Sequence, residues 1–281
     1  MPAWNTVAII GVGLIGGSIG LGLRRRGLAR RVVGIGRRAS SLRKAKQHET
    51  VDATTTSIAK GVADAELIIV GTPVSTIVDM VVQAASHAPA EAIITDAGST
   101  KSHILHQLRE RLGAGRPFIG SHPLAGSEKS GPEFASEDLF EGRLTVVTPT
   151  RQSDPEKVAR VEAFWESLGS RVVRMTPEAH DAAVAEISHM PHLIASALAA
   201  ATSEKHLPLA ATGWRDTTRV AAGEVELWRQ IVGENRAGVL KSLDKFEKVL
   251  SKLRAAVERG DDTRLVEILE AGKRIRDAVG S

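Results

Sequence analysis

The feature that most limits how this chain can fold is a glycine run near its start. Gly11-Val12-Gly13-Leu14-Ile15-Gly16 follows the β-rich segment Val7 to Ile10 and opens the amphipathic stretch Leu14 to Arg26. A G-x-G-x-x-G run is weak evidence alone, but between a strand and a helix it marks a dinucleotide-binding turn. Gly11 permits the tight turn, Gly13 lets a pyrophosphate approach the backbone, and Gly16 lets the helix pack close to the strand. The helix start at Leu14 and Ile15 then stabilises the phosphate charge.

The chain beyond the run fits the same plan. Val32 to Ile35, Leu67 to Val70, Ile93 to Thr95, Phe118 to Gly120 and Leu144 to Thr148 are strand candidates. Each is apolar through most of its length, as parallel strands covered on both faces are. The intervening stretches are long enough for crossover helices, so the pattern predicts an α/β N-terminal doubly wound sheet of Rossmann type. Asp154 to Leu168 reads as a further helix, capped by Asp154 with Pro155 in its first turn, and Arg171 to Met175 as a last strand.

After Thr176 the character changes. The chain becomes rich in Ala, Leu, Glu, Lys and Arg, and Leu240, Leu243, Phe246, Val249, Leu250 and Leu253 recur at helix-face spacing. The expected division is a dinucleotide-binding domain, residues 1–175, and an all-α domain, residues 176–281, for substrate binding and dimerisation. The helical part is too thin to close its own core, which points to a core shared across a two-fold homodimer. No appended regulatory domain and no export signal are expected.

Composition narrows the function classes. No apolar stretch approaches the length of a membrane span. The absence of cysteine excludes disulfides, thiolate catalysis and cysteine metal sites, and fits a cytoplasmic location. Net charge is +4, with an early basic surplus running from Arg24 to Lys46. Aromatic residues are only 3% of the chain and form no stacking platform, so the surplus points to a small anionic substrate and cofactor rather than nucleic acid.

The end of the second strand candidate bears on the cofactor. An NAD enzyme usually carries an acid there for the ribose 2′-hydroxyl. This chain reads Gly34-Ile35-Gly36-Arg37-Arg38-Ala39-Ser40-Ser41. With no carboxylate to repel a 2′-phosphate, and with Arg37, Arg38 and Ser40 available to bind it, NADP is favoured over NAD. Thr72 and Pro73, after the Leu67 to Val70 strand, are either ribose or nicotinamide neighbours or part of a routine strand-end turn.

Two further strand ends face the same sheet edge. Asp96-Ala97-Gly98-Ser99-Thr100-Lys101 follows one, and Gly120-Ser121-His122-Pro123-Leu124-Ala125-Gly126-Ser127-Glu128 the next. His122, on a loop bounded by Gly and Pro, is suited to remove a hydroxyl proton as hydride leaves the same carbon, with Ser99 orienting it or the hydroxyl. In the helical part, His189 and His192 stand three residues apart on one helix face, and Pro191 kinks that helix. Two histidines without nearby acids do not make a metal site. In Gly213-Trp214-Arg215-Asp216-Thr217-Thr218-Arg219, two arginines flank an acid, either to bind a carboxylate or as a surface ion-pair turn.

Taken together, these words resemble the prephenate/arogenate dehydrogenase family over nearly the whole chain. They are Gly-Val-Gly-Leu-Ile-Gly-Gly-Ser at 11–18, Asp-Ala-Gly-Ser-Thr-Lys at 96–101, Gly-Ser-His-Pro-Leu-Ala-Gly-Ser-Glu at 120–128, Ser-His-Met-Pro-His at 188–192 and Arg-Asp-Thr-Thr-Arg at 215–219. The first is common to many dehydrogenases; the combination and order of the others are specific. The resemblance implies that His122 is the catalytic base at the ring hydroxyl, assisted by Ser99. It implies that His192, with His189, binds the substrate side chain and that Arg219 binds the ring carboxylate. Glu128, Asp216 and Trp228 match family positions around that site. It further implies a homodimer through the helical domain and oxidative decarboxylation of a cyclohexadienol on the route to tyrosine, with no metal. A β-hydroxyacid dehydrogenase or pyrroline-carboxylate-type reductase shares the two-domain plan, but the first would want a catalytic Lys where this chain has His189 and His192. A non-catalytic NADP-sensing regulator on the same fold is the third reading.

Overall fold

The computed structural model describes residues 3–112, 118–126, 129 and 131–280. Its strands are Trp4–Ile10 (β1), Ala29–Ile35 (β2), Ala53–Thr55 (β3), Leu67–Val70 (β4), Ile93–Asp96 (β5), Phe118–Pro123 (β6), Leu144–Thr148 (β7) and Arg171–Arg174 (β8). They form one sheet in the order β3-β2-β1-β4-β5-β6-β7-β8. Pairing is parallel except between β6 and β7, which run antiparallel with His122 opposite Val146.

The helices interleaved with the sheet are Leu14–Arg25 (α1), Ala39–Gln47 (α2), Ile58–Val62 (α3), Val74–His87 (α4), Ser102–Leu112 (α5) and Pro155–Ser167 (α6). After β8 the chain is helical: Pro177–Val184 (α7), Met190–Ala201 (α8), Thr212–Thr218 (α9), Val225–Glu234 (α10), Arg236–Arg259 (α11) and Asp262–Ala278 (α12). No helix among the described residues is long and apolar enough to cross a membrane.

Alternation along β1 shows why the sheet is covered on both faces. Val7 and Ile9 enter one apolar cluster with Ile19 and Leu23 of α1 and Trp165 of α6. Ala8 and Ile10 enter the other, with Ile77 and Val81 of α4, Ile104 of α5 and Ile231 of α10. A strand buried on both faces reads as an unbroken apolar run, as β4 does. The Asp154 cap is present, its carboxylate accepting from the Glu156 N–H at 2.9 Å.

The structure differs from the sequence expectation in three places. β3 is an additional strand, three residues long and too polar to stand out. β6 continues through His122 to Pro123, because antiparallel pairing with β7 extends it; His122 therefore lies in a strand, not on a loop. The single kinked helix expected around Pro191 is a π-helical turn, Ala185–His189, followed by α8. Pro191 has no N–H to give to the preceding turn, and the wider turn accommodates the loss.

Residue contacts gather the chain into two compact units, residues 1–235 and 236–281. Helices α7 to α10 thus belong with the sheet. In the second unit, Leu240, Val249, Leu250, Val257, Val266, Leu269 and Ile275 are exposed.

Candidate active site

The sheet order reverses between β1 and β4, and a crevice opens there at the carboxyl ends of the strands, as expected for doubly wound folds. The cleft holds about 650 Å³. Its walls are the ends of three strands, Ile10 to Gly13, Ile35 to Arg38 and Gly71 to Pro73, with Ser41 of α2 and Thr76 to Gln83 of α4. Gly11 has φ +95°, and a Cβ there would lie 2.7 Å from the Gly71 carbonyl oxygen. A Cβ on Gly16 would meet the Gly11 carbonyl oxygen at 2.1 Å, so α1 can approach β1 this closely only with glycine. A Cβ on Gly13 would meet nothing within 4 Å, which leaves open space beside the start of α1. This cradle fits a dinucleotide pyrophosphate.

Among the sequence-selected cofactor residues, Gly11, Gly13, Arg37, Arg38, Thr72 and Pro73 line the cleft. Leu14, Ile15, Gly16 and Ser40 do not; Ile15 packs against the apolar core, and Ser41 takes the lining position in place of Ser40. Arg37 and Arg38 are exposed, and their side chains have no hydrogen-bond or ion-pair partner among the described residues. Arg38 precedes α2 without a side-chain cap, and the first turn of α2 holds no acid. The cleft-lining carboxylate of Asp79 is paired with Arg111 at 2.6 Å.

A second constellation sits where α7, α8 and α10 meet the ends of β5 and β6. His122 is half-buried. Its Nδ1 lies 2.9 Å from Nε2 of His180, with the rings edge to face. His180 Nδ1 lies 2.8 Å from Asp181 Oδ1. The Asp181 carboxylate also accepts the backbone N–H groups of Lys101 at 2.8 Å and Ser102 at 2.9 Å. Asn235 donates to the Asp181 carbonyl at 2.7 Å and lies 3.2 Å from His189 Nδ1. His192 stacks on Trp228 with ring centroids 3.6 Å apart, and His189 meets the same indole edge-on at 6.2 Å.

Ser99 lies on the turn between β5 and α5, and its hydroxyl has no protein partner among the described residues. The turn is pinned on both sides of it. Gly98 N–H donates to Asp96 at 2.9 Å, and the Thr100 hydroxyl donates to Glu234 at 2.6 Å. The fully buried Lys101 ammonium is ion-paired with Asp96.

Burial sets the protonation of this region. It drives the pKa of His122 well below the ordinary histidine value, and the charges of His180, Lys101 and His189 push the same way. Burial also lowers His189 to about 4, against the opposing pull of Asp181. For Asp181, burial alone would raise the pKa, but hydrogen bonds from His180, Ser102 and Lys101 hold it below the usual carboxylate value. His192 is lowered by burial, with the Val220 carbonyl pulling the other way. Its Nδ1 is buried without a partner among the described residues.

The structure therefore brings His122 and His189 into one hydrogen-bonded group and sets His192 and Trp228 beside it. None of these lines the dinucleotide cleft. Arg219, in the 3₁₀ turn Arg219–Ala222, and Asp216, in α9, are exposed and make no ion pair among the described residues. The surface ion-pair turn is thus not formed within the described chain. Glu128 lies outside the described residues. Sequence reasoning missed His180, Asp181, Asn235 and Lys101. One signal was available for the first two: a His-Asp pair in the first turns of a helix that opens with Thr176 as cap and Pro177.

Two family models match the chain. The prephenate dehydrogenase nucleotide-binding domain matches residues 19–174, and the prephenate dehydrogenase dimerization domain matches residues 176–271. The chain is 34% identical to a prephenate dehydrogenase of Bacillus subtilis over 98% of this chain and 76% of that protein. It is similar to the solved prephenate dehydrogenase of Aquifex aeolicus in complex with hydroxyphenyl propionate and NAD+, at 33% identity and a TM-score of 0.90, covering 98% of each chain. It is likewise similar to an arogenate dehydrogenase of Synechocystis, at 32% identity and a TM-score of 0.83, over 98% of this chain and 99% of that one.

Proposed function

This chain belongs to the prephenate/arogenate dehydrogenase family of nicotinamide-dependent oxidoreductases, and on that premise we propose that it oxidatively decarboxylates prephenate or arogenate with NADP as its preferred acceptor. One observation carries the proposed chemistry. A neutral His122 stands at the carboxyl end of β6, two strands along from β4, whose end lines the cleft.

The cleft lined by Gly11, Gly13, Thr72 and Pro73 would hold the dinucleotide, which would supply an acceptor for the hydride leaving the substrate carbon that bears the hydroxyl. His122 removes the hydroxyl proton, a role that requires an unprotonated imidazole at working pH. The low pKa of His122 meets that need at neutral pH. The dienone left behind loses carbon dioxide because aromatisation drives the step. Ser99, whose hydroxyl has no partner among the described residues, orients the substrate hydroxyl beside His122. His189 and His192, neutral and buried beside Trp228, hold the side chain of the substrate. Arg219 binds the ring carboxylate as a charge-assisted pair.

The NADP preference rests on Arg37 and Arg38, which make no ion pair among the described residues, beside the start of α2, which has no side-chain cap and no acid in its first turn. Backbone N–H groups at a helix start and guanidinium groups together suit a 2′-phosphate. We also infer a homodimer. The exposed apolar residues of α11 and α12 would otherwise meet water, and a two-fold partner covers such a face. Light scattering at micromolar concentration should give twice the chain mass, and a monomer mass would remove this inference.

The test of the reaction is the rate of NADP and NAD reduction with prephenate, arogenate and a 3-hydroxy acid. Turnover with either cyclohexadienol and none with the hydroxy acid is expected. The reverse result would move the chain to the β-hydroxyacid chemistry of the same fold.

A further inference from the structure

Two histidines of the site, His122 and His189, are wired to one residue, Asp181, by different routes, and the wiring fixes where each ring carries its proton. We propose that Asp181, acting through His180 and Asn235, sets His122 and His189 to opposite hydrogen-bond polarity: His122 presents a lone pair at Nε2, and His189 presents an N–H at Nε2. The assignment of these edges to substrate rests on the reaction proposed above; the tautomers themselves do not.

The His122 route starts from the carboxylate. Both Asp181 oxygens already accept backbone N–H groups, from Lys101 and Ser102. An ionised carboxylate only accepts, so the His180 Nδ1 that lies 2.8 Å from Oδ1 carries a hydrogen. When the His180 imidazole holds one proton, that proton is therefore on Nδ1, and its Nε2 is an acceptor. His122 Nδ1, 2.9 Å away, must then be the donor. The single proton of neutral His122 sits on Nδ1, and its Nε2 keeps the lone pair. This runs against the intrinsic preference of an imidazole with no partner, which favours the Nε2–H form, so the base has to be held in its working tautomer.

The His189 route starts from the backbone carbonyl of the same residue. That carbonyl can only accept, so the Asn235 atom lying 2.7 Å from it is the amide nitrogen. The same nitrogen lies 3.2 Å from His189 Nδ1, which is therefore the acceptor. The proton of neutral His189 is left on Nε2. A hydroxyl about to lose its proton needs an acceptor, whereas a carbonyl or carboxylate oxygen needs a donor. The pair thus complements a substrate that presents one of each. Asp181, His180 and Asn235 are positioning residues in this scheme; the acid is held by the backbone turn that also carries Ser99.

Histidine tautomers are read directly in long-range proton–nitrogen correlation spectra of the full-length ¹⁵N-labelled protein without ligand. Signals are assigned by their loss in His122→Asn and His189→Asn. The expected wild-type pattern is Nδ1–H for His122 and Nε2–H for His189. His180→Phe should return His122 to the Nε2–H form and lower kcat at least tenfold, with the KM for cofactor unchanged. Asn235→Leu should convert His189 to a tautomer mixture. Wild-type spectra with His122 as Nε2–H, or with His189 as Nδ1–H, overturn the proposal even if both variants fail to fold. So do unchanged tautomers in folded variants. The expected spectra in a protein that turns over neither cyclohexadienol would leave the wiring standing and remove only the proposed reaction.

Discussion

The dinucleotide cleft and the histidine group are built in opposite ways. The cleft is made of short contiguous segments at strand ends, open to solvent, with the side chains of Arg37 and Arg38 making no hydrogen bond or ion pair among the described residues. The histidine group is buried apart from the half-buried His122, and its members are far apart in sequence. His122 and His180 are separated by 58 residues, and Lys101 and Asp181 by 80. The first region tolerates exchange of its exposed residues because little else depends on them. The second links two strand ends to three helices, so a change at one member propagates to the rest. The difference predicts that turnover and cofactor binding are separable.

The sharpest way to break that separation is His122→Asn. Loss of a general base should lower kcat by about 10²- to 10⁴-fold, while dinucleotide affinity, read by titration of protein fluorescence, stays within experimental error. A parallel loss of cofactor affinity would mean that the two regions act as one, and near-normal turnover would remove His122 from the mechanism.

The buried group should also make stability pH-dependent in a way the cleft does not. His189 is held to about 4 in the folded chain against an ordinary value of 6.5. Between those values the unfolded chain binds the proton and the folded chain does not. The contribution is therefore fully present above pH 6.5 and is lost as pH falls toward 4, amounting to roughly 3 kcal/mol. Chemical denaturation from pH 7.5 to pH 4.5 should show this slope in the wild type and a shallower one in His189→Gln. Equal slopes in the two proteins would place the proton elsewhere.

The two regions were also unequally legible in the sequence. The turn from β1 into α1 could be read because six consecutive residues carry it, and the strand ends because apolar runs stop there. His122 and Ser99 could be picked out because they follow such runs. Their partners could not. Nothing local distinguishes Asn235 at the end of α10 from any other helix-terminal Asn, and its role exists only because the fold brings it to Asp181 and His189. The extension of β6 through His122 was hidden for the same reason, since it depends on antiparallel pairing with β7 more than twenty residues later.

Arg219 tests the substrate side from its exposed rim. If its guanidinium binds the ring carboxylate, Arg219→Ala should raise KM far more than it changes kcat, by roughly 1.5–3 kcal/mol for each charged hydrogen bond lost. Steady-state kinetics with saturating cofactor reads the split. An unchanged KM would assign Arg219 to the surface alone.

The smallest expected effect lies in the cleft, in the choice of cofactor. After β2 the chain offers Gly36, Arg37 and Arg38, and then the uncapped start of α2 with Ser41 in the wall. With NADP, the 2′-phosphate meets guanidinium groups and no opposing carboxylate on that strand end. With NAD, the ribose hydroxyl lacks its usual acid partner and the arginines have no anion to bind. Both effects favour NADP, so kcat/KM should prefer it at least tenfold, or about 1.4 kcal/mol. Gly36→Asp with Arg37→Ala should shift the preference toward NAD, because the new carboxylate accepts from the ribose hydroxyls and repels the phosphate. A Cβ on Gly36 would lie 3.2 Å from Leu42 Cδ2, a contact that a small shift of that side chain relieves. Turnover of the saturated double variant should stay near the wild-type value, since none of the histidine group is touched. An equal or greater kcat/KM for NAD in the unmodified protein would show that Arg37 and Arg38 are solvated surface residues.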